Sequence, residues 1–403
     1  MTTIPTTYEA SRDRFHEALA AVRERWPEAR LISHSLPGAE SEGPVPLQGT
    51  GPWKTHEAQD LSIDWISAPA LVGRTGSPTY ALATEQKSKL LILTTGEHGI
   101  EGYVGSTMLQ LFIEEYLPRL DPTETGLLLV HIINPWGMKH HRRVNVHNVD
   151  LNRNFVKEIA PLAASNPAYV PLDNFLNPPR PFKHPTLHKL AVTLRAPGLI
   201  LRYGIPKFRA AALLGQYRFP KGIYYGGREL QEETRTLMGL FREHIRDYDQ
   251  MLHLDMHTGY GPRRQMTLVN SCHEKMTSAE AVSKFGYPRI AAATAEEFYA
   301  IQGDMIDYLY TVMAQEFPGK PFYAATFEFG TFGESLWDSI RELRTMIFEN
   351  RLHWFGASRA ARAWISHEFD ELYCPSEPAW LEKALGDARQ AFTGILKAER
   401  YIS

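Results

Sequence analysis

A histidine and a glutamate three residues apart follow an apolar run in the first part of the chain. The stretch LLILTTGEHGIEG places His98 and Glu101 in a loop that also contains Gly96, Gly99 and Gly102. In a tight turn or a first helical turn, side chains at i and i+3 point the same way, so both could bind one cation. Because such a pair also arises by chance in a chain of this composition, an ordinary turn is the alternative interpretation.

Further polar residues follow apolar runs later in the chain. His257 ends the run MLHLDMH, Glu328 lies in PFYAATFEFG, and NVDLNRNF occupies residues 148–155. In open α/β sheets ligands bind at the carboxyl ends of the strands, so these residues are candidates for one site. Three protein ligands with an open fourth position are typical of catalytic zinc. Taken alone, His257 is more simply explained as a hydrogen-bonded residue at a strand end.

Apolar runs and amphipathic segments alternate along the chain, which predicts an α/β fold with a twisted mixed sheet between helices. Phe15, Leu19, Val22 and Trp26 recur at helical spacing and indicate a first helix. Residues 36–56 are rich in Gly, Pro and Ser and predict a loop. Strands are expected over 61–68, 89–95, 126–135, 251–261 and 321–333, and later helices over 229–249, 292–316, 335–350 and 378–398.

Residues 156–228 differ from their surroundings because they combine many prolines with basic and aromatic residues. We expect a single domain over residues 1–403, with this segment as an insertion or lid. Within it, GQYRFPKGIYYGG (215–227) carries Tyr224 and Tyr225 on a glycine-rich loop. Closure over a substrate and simple packing of an aromatic loop are both open interpretations of these tyrosines.

Composition and charge exclude several classes of protein. The formal net charge is −3 over 403 residues, which argues against an electrostatic nucleic-acid binder. Two cysteines, Cys272 and Cys374, suit a reducing compartment rather than a disulfide scaffold. Neither a signal-peptide core nor an apolar run of membrane-spanning length occurs. We therefore expect a cytoplasmic protein that binds neither nucleic acid nor membrane.

Five ordered motifs together resemble the zinc metallocarboxypeptidase superfamily of the carboxypeptidase A type. They are HGIE, NPWG, DLNRNF, LDMHTG and FEFGTF, and the resemblance covers roughly residues 8–355. Within that superfamily, the chain is most similar to an uncharacterised bacterial branch described as a domain of unknown function. The resemblance implies a zinc carboxypeptidase-like fold, of the phosphorylase/hydrolase-like type, and a zinc metallohydrolase activity.

The resemblance also implies a role for each matching residue. His98, Glu101 and His257 would bind one Zn²⁺, which lowers the pKa of a bound water. Glu328 would take a proton from that water and return it to the leaving amine. Its alternative role is a structural ion pair at a strand end.

Further roles concern the residues around the metal. An arginine would stabilise the oxyanion, with Arg143 favoured over Arg142. Asn152 and Arg153 would grip a substrate carboxylate, since an arginine binds a carboxylate with two parallel hydrogen bonds. Asp150 would orient the first metal histidine through its other ring nitrogen. The alternative for DLNRNF is a turn held by local hydrogen bonds.

These roles imply hydrolysis of an amide bond next to a free carboxylate, in small peptides or N-acyl amino acids. An aminoacylase- or aspartoacylase-like deacylase would share the zinc site and differ in the pocket. A third alternative is a relative that binds ligand without catalysis, which the retention of all three ligands and Glu328 disfavours. Side-chain preference and oligomeric state are not predicted.

Overall fold

A mixed sheet forms the centre of the molecule. The computed structural model describes residues 3–36, 61–71, 88–182, 185–294 and 301–403. Within these ranges the strands are β1 (Arg30–Ser35), β2 (Ser62–Ala68), β3 (Lys89–Thr95), β4 (Thr125–Val130), β5 (Gln250–Gly259), β6 (Met266–Asn270), β7 (Ile290–Ala292) and β8 (Phe322–Gly330). They form one sheet in the order β1-β2-β4-β3-β5-β8-β6-β7.

The strands at the middle of the sheet run parallel. β3 pairs in parallel with β4 and with β5, and β5 pairs in parallel with β8. The pairs β1–β2, β2–β4 and β6–β8 are antiparallel. The carboxyl ends of β3, β5 and β8 therefore meet at one edge, where His257 pairs in register with Glu328.

Helices cover both faces of this sheet. They are α1 (Tyr8–Arg23), α2 (Gly102–Glu115), α3 (Pro135–Lys139), α4 (Asp173–Leu176), α5 (Pro185–Tyr203), α6 (Ile205–Leu213), α7 (Glu232–Arg246), α8 (Ser278–Phe285), α9 (Met305–Glu316), α10 (Leu336–Phe355), α11 (Arg359–Tyr373) and α12 (Pro378–Ala398). Side chains alternate along β3: Leu91 and Leu93 pack with α1, α2 and α12, whereas Leu90 and Ile92 pack with α7 and α9. The predicted α/β class is confirmed.

Several predicted elements have wrong bounds. The strand expected over 126–135 ends at Val130, and Pro135 opens α3 instead of closing the strand. Proline suits a first helical position because its missing N–H would have no helical partner there, and Asn134 caps the helix by accepting from the Gly137 amide. The helix expected over 292–316 begins only at Met305.

Other segments were not foreseen or fall outside the described part of the chain. The sequence analysis did not predict β1, β6, β7, α8 and α11. Nearly all of the loop expected over 36–56 lies outside the described residues. None of the helices in the described ranges is both long enough and apolar enough to cross a membrane.

The segment 156–228, described except for residues 183 and 184, contains the helices α4, α5 and α6. α5 packs beside α10, where Arg344 Nη1 donates to Thr193 Oγ1 at 3.3 Å and Arg351 Nη1 lies 3.3 Å from His188 Nδ1. That this segment acts as a lid on a single domain stays a prediction.

Candidate active site

Side chains from two distant segments, His98 with Glu101 and His257, meet at the carboxyl edge of the sheet. His98 Nδ1 lies 2.8 Å from Glu101 Oε1 and 3.1 Å from His257 Nδ1. His257 Nδ1 lies 3.0 Å from Glu101 Oε2. Ligands bound to a tetrahedral zinc at about 2.0–2.1 Å are ~3.3 Å apart. The three donors therefore face one common point at a spacing that suits a zinc ion.

The loop after β3 brings the first two of these residues together. His98 precedes a single 3-10 turn, Gly99–Glu101, which continues directly into α2. A side chain at Gly99 would meet the backbone of Gly137 and Met138 at 2.2 Å, so only glycine allows the loop to lie against α3. This close packing fixes both side chains on one side of the turn.

Each histidine is held on its far side by a carboxylate. His98 Nε2 lies 3.1 Å from Asp150 Oδ1, and His257 Nε2 lies 2.6 Å from Asp255 Oδ2. Burial alone would raise the pKa of Asp150, but Arg143, Arg153 and His98 lower it well below its usual range. Such contacts orient the rings of metal ligands so that Nδ1 is left to face the metal. Asp255 was missed in the sequence, although LDMH places it one alternation before His257.

The electrostatics of the cluster favour a cation. Burial alone would raise the pKa of Glu101, but His98 and His257 hold it below the usual range. Burial alone would lower the pKa of His257, but Asp255 and Glu101 raise it well above 6.5. Buried carboxylates thus surround the two imidazoles and stabilise positive charge at their meeting point.

Glu97 is a further buried carboxylate that the sequence analysis did not single out. Its Oε2 lies 3.3 Å from His257 Nε2, and neither of its oxygens has a hydrogen-bond partner among the described residues. Burial raises the pKa of Glu97 to about 8. Glu97 could be grouped with His98 and His257 as a metal site. However, it faces the Nε2 side of His257, whereas Glu101 faces both Nδ1 atoms.

Glu328 on β8 is paired in register with His257 on the neighbouring strand β5. Its Oε1 accepts from the Tyr260 amide at 3.0 Å, and burial raises its pKa to about 8. Glu328 lines a small cavity together with His257, Asn152 and Asp304. The Glu328 carboxyl group thus lines the same cavity as His257, and the Tyr260 contact engages Oε1 and not Oε2.

The two neighbouring arginines lie in different environments. Arg143 Nε donates to Asp150 Oδ2 at 3.0 Å, and its Nη1 lies 3.4 Å from both Glu101 Oε1 and the Tyr373 hydroxyl. Arg142 instead pairs with Glu349, at 2.6 Å from Nε to Oε1. Of the two arginines, only Arg143 contacts one of the candidate metal ligands.

Asn152 and Arg153 are both buried, and their side chains make different hydrogen bonds. Arg153 donates through Nη1 to the Asn152 carbonyl at 2.8 Å and through Nη2 to the Leu213 carbonyl at 2.7 Å. These bonds use two of the five N–H groups of the guanidinium, and Nε has no hydrogen-bond partner among the described residues. Asn152 Oδ1 accepts from the Met305 amide at 3.2 Å, and its side chain lines the cavity beside Glu328.

The two tyrosines of the glycine-rich loop point to different places. The Tyr224 ring lies 5.8 Å from the guanidinium carbons of Arg143 and of Arg153, at the edge of the site. Tyr225 packs in the core formed by α7 and α9, away from the metal position. Both rings are buried, so neither stands on an exposed flap.

With the site in place, comparisons with known proteins assign the family. Residues 78–387 match the family model "Protein of unknown function (DUF2817)", and the chain belongs to that family. The predicted membership of a family of unknown function is thereby confirmed. No curated protein matches the sequence.

Solved structures of metallocarboxypeptidases and of a desuccinylase are similar to this chain. Bovine thrombin-activatable fibrinolysis inhibitor, in complex with tick carboxypeptidase inhibitor, shares 13% identity over 89% of this chain and 96% of its own, at TM-score 0.42. Carboxypeptidase A from Helicoverpa armigera shares 13% identity over 96% of this chain and 74% of its own, at TM-score 0.40. Succinylglutamate desuccinylase from Chromobacterium violaceum shares 13% identity over 73% of this chain and 67% of its own, at TM-score 0.33.

Proposed function

We propose that this protein is a zinc-dependent hydrolase that cleaves an amide bond next to a free carboxylate, in small peptides or N-acyl amino acids. The observation that carries the proposal is the convergence of His98 Nδ1, His257 Nδ1 and the Glu101 carboxylate within 2.8 to 3.1 Å of one another. Two imidazoles and one carboxylate are a known ligand set of catalytic zinc.

The surrounding residues fit one such ion. Asp150 and Asp255 hold the Nε2 atoms of the two histidines, so that both rings present Nδ1 to the same point. When bound, zinc supplies a water of lowered pKa and polarises the substrate carbonyl.

Glu328 is proposed as the general base and acid. The Tyr260 amide holds Oε1, so Oε2 would accept the proton of the attacking water and later deliver it to the leaving amine. Burial raises the pKa of Glu328 to about 8, and a divalent cation nearby would lower it again. These opposing effects bring the pKa of Glu328 toward neutral pH, where proton transfer in both directions is efficient.

Arg143 is proposed to stabilise the oxyanion that forms on attack. Asp150 fixes its Nε, while its Nη1 makes only long contacts of 3.4 Å and can shift to a developing negative charge. A buried donor held in place before the reaction gives a large gain in rate. Arg142 stays with Glu349 and is assigned a structural role.

Substrate recognition is proposed to depend on Asn152 and on the closed shape of the site. Two backbone carbonyls hold Arg153, and its Nε has no hydrogen-bond partner among the described residues, so Arg153 stays a candidate for the substrate carboxylate. Asn152 lines the small cavity beside Glu328 and is the nearer candidate for a polar substrate group. A small, buried site favours a short substrate, which makes an N-acyl amino acid deacylase the second candidate function.

The test is metal analysis of the purified full-length protein combined with a substrate panel. We expect about one zinc ion per chain, and hydrolysis that is lost on chelation and restored by zinc. Dipeptides, N-acetyl amino acids and N-succinyl amino acids would be compared in parallel to separate peptidase from deacylase. A folded protein that binds no divalent metal, or activity that survives metal removal, would refute the proposal.

A further inference from the structure

An apolar face on the segment 156–228 points away from the protein. Leu187, Leu190, Leu194 and Leu201 of α5, with Ile205 at the start of α6, are between 53% and 89% exposed. The four leucines follow one another at intervals of three, four and seven residues, which places them on one side of the helix. These five residues are called the leucine face below.

The opposite side of α5 is packed against the protein, which fixes the direction of the leucine face. Ala196 is fully buried, and α5 contacts α10 through the pairs Thr193–Arg344 and His188–Arg351. The residue with the higher number on α5 is paired with the residue with the lower number on α10, so the two helices run antiparallel.

The amino end of α10 therefore lies toward the carboxyl end of α5. It carries Leu336 and Trp337, which are also largely exposed. Exposed apolar side chains in this number on one side of a helix mark an interaction surface rather than ordinary solvent contact.

Within the segment that carries the leucine face, the charged residues have a single sign. Residues 174–228 contain ten Lys and Arg and no Asp or Glu, in a chain whose net charge is −3. Arg195 and Arg202 each follow a leucine of the face and so lie about 100° around the helix from it. Their guanidinium carbons lie 5.7 Å and 5.3 Å from the rings of Phe175 and Tyr203. The apolar face is thus bordered by positive charge.

We propose that the leucine face docks onto an anionic lipid bilayer. Leucine side chains would enter the boundary between headgroups and acyl chains, as on interfacial amphipathic helices. Arg195 and Arg202 would contact the lipid phosphates, and Trp337 suits the same interfacial level. The sequence analysis expected no membrane partner because it tested for spanning segments, and an interfacial helix does not need that length.

A second copy of the chain is a less suitable partner. Leu187, Leu194 and Leu201 have the seven-residue spacing of a coiled-coil seam. Such seams pair through opposite charges on their flanks, and α5 has only basic ones. Two copies would bring like charges together, whereas an anionic surface neutralises them.

The test is co-sedimentation of the full-length protein with vesicles of phosphatidylglycerol and phosphatidylcholine, and with vesicles of phosphatidylcholine alone. We expect binding to the anionic vesicles that weakens with salt. The double substitution Leu194→Ser/Leu201→Ser and the double substitution Arg195→Gln/Arg202→Gln should each weaken it by about tenfold or more. Leu71→Ser, at an exposed leucine outside this segment, is the matched control and should leave binding unchanged.

Several outcomes would overturn the proposal. They are no binding to anionic vesicles, equal binding to both kinds of vesicle, and binding that survives both double substitutions. A dimer in analytical ultracentrifugation that Leu194→Ser/Leu201→Ser dissociates, without vesicle binding, would assign the face to a second copy instead. Vesicle binding requires neither metal nor turnover, so its failure is independent of the proposed hydrolase function.

Discussion

Asp255 and His257 lie two residues apart on β5, and Asp255 Oδ2 is 2.6 Å from His257 Nε2. Successive side chains of a strand alternate between its faces, so residues two apart stand side by side. Asp150 makes the equivalent contact to His98 from a different segment. The two imidazoles are therefore oriented by two carboxylates before any metal binds.

Removal of this support should weaken metal binding without removing a ligand. We expect Asp255→Asn to lower zinc affinity by about 10- to 100-fold, because an amide stabilises the required ring orientation less well. Competition with a chromophoric chelator measures this. Asp370→Asn, at an exposed carboxylate paired with His141, is the control. Unchanged zinc affinity in Asp255→Asn would show that the contact has no role in metal binding.

Glu328→Gln should separate metal binding from turnover. Glutamine has nearly the same shape and can still accept from the Tyr260 amide, but it cannot accept a proton from water. We expect zinc content to be retained and kcat to fall by about 10²- to 10⁴-fold. His257→Ala is the paired variant and should lose zinc as well as activity. Full activity in Glu328→Gln would remove this residue from the mechanism.

The sequence predicted the strands that carry the site because their apolar runs are continuous and bounded. β3 was expected over 89–95 and spans Lys89–Thr95. His98 and His257 were expected in one site because each follows an apolar strand, and they do meet, since β3 and β5 are parallel neighbours. Polar residues that follow apolar strands therefore indicate which distant segments meet at one edge of the sheet.

What the sequence could not show is which of several similar residues has which partner. Arg142 and Arg143 are adjacent, and only their contacts with Glu349 and Asp150 distinguish them. Arg153 matched a substrate-binding position, yet two backbone carbonyls engage its guanidinium. These partners come from distant segments, so local spacing contains no information about them.

Substitution of each arginine in turn tests which of the two stabilises the oxyanion. We expect Arg143→Gln to lower kcat by about 10²- to 10³-fold, as for loss of an oxyanion donor, with its zinc content measured in parallel. Arg142→Gln should leave turnover nearly unchanged and lower stability, because it leaves the half-buried Glu349 carboxylate without its partner. Equal losses of kcat in the two variants would contradict the assignment.

A buried histidine that is not one of the candidate metal ligands should make the protein sensitive to acid. His131 is fully buried, with Nε2 2.8 Å from Ser11 Oγ and Nδ1 2.6 Å from Thr95 Oγ1. Burial lowers its pKa from 6.5 to about 3. Between these two values the unfolded chain takes up a proton at this position and the folded chain does not. The free energy of unfolding should therefore fall as the pH drops below about 6.5, by up to about 1.4 kcal/mol per pH unit from this group.

Urea unfolding at about pH 7.5, 6.0 and 5.0, values on both sides of the ordinary pKa of histidine, measures this slope. His131→Gln removes the titrating group, so it should be less stable at neutral pH and show a shallower loss on acidification. His367→Gln, at an exposed position on α11, is the control and should keep the slope of the original chain. Other buried groups titrate in both proteins alike, so the difference in slope isolates His131. An identical slope in His131→Gln would mean that this ring is not kept neutral by burial in the folded state.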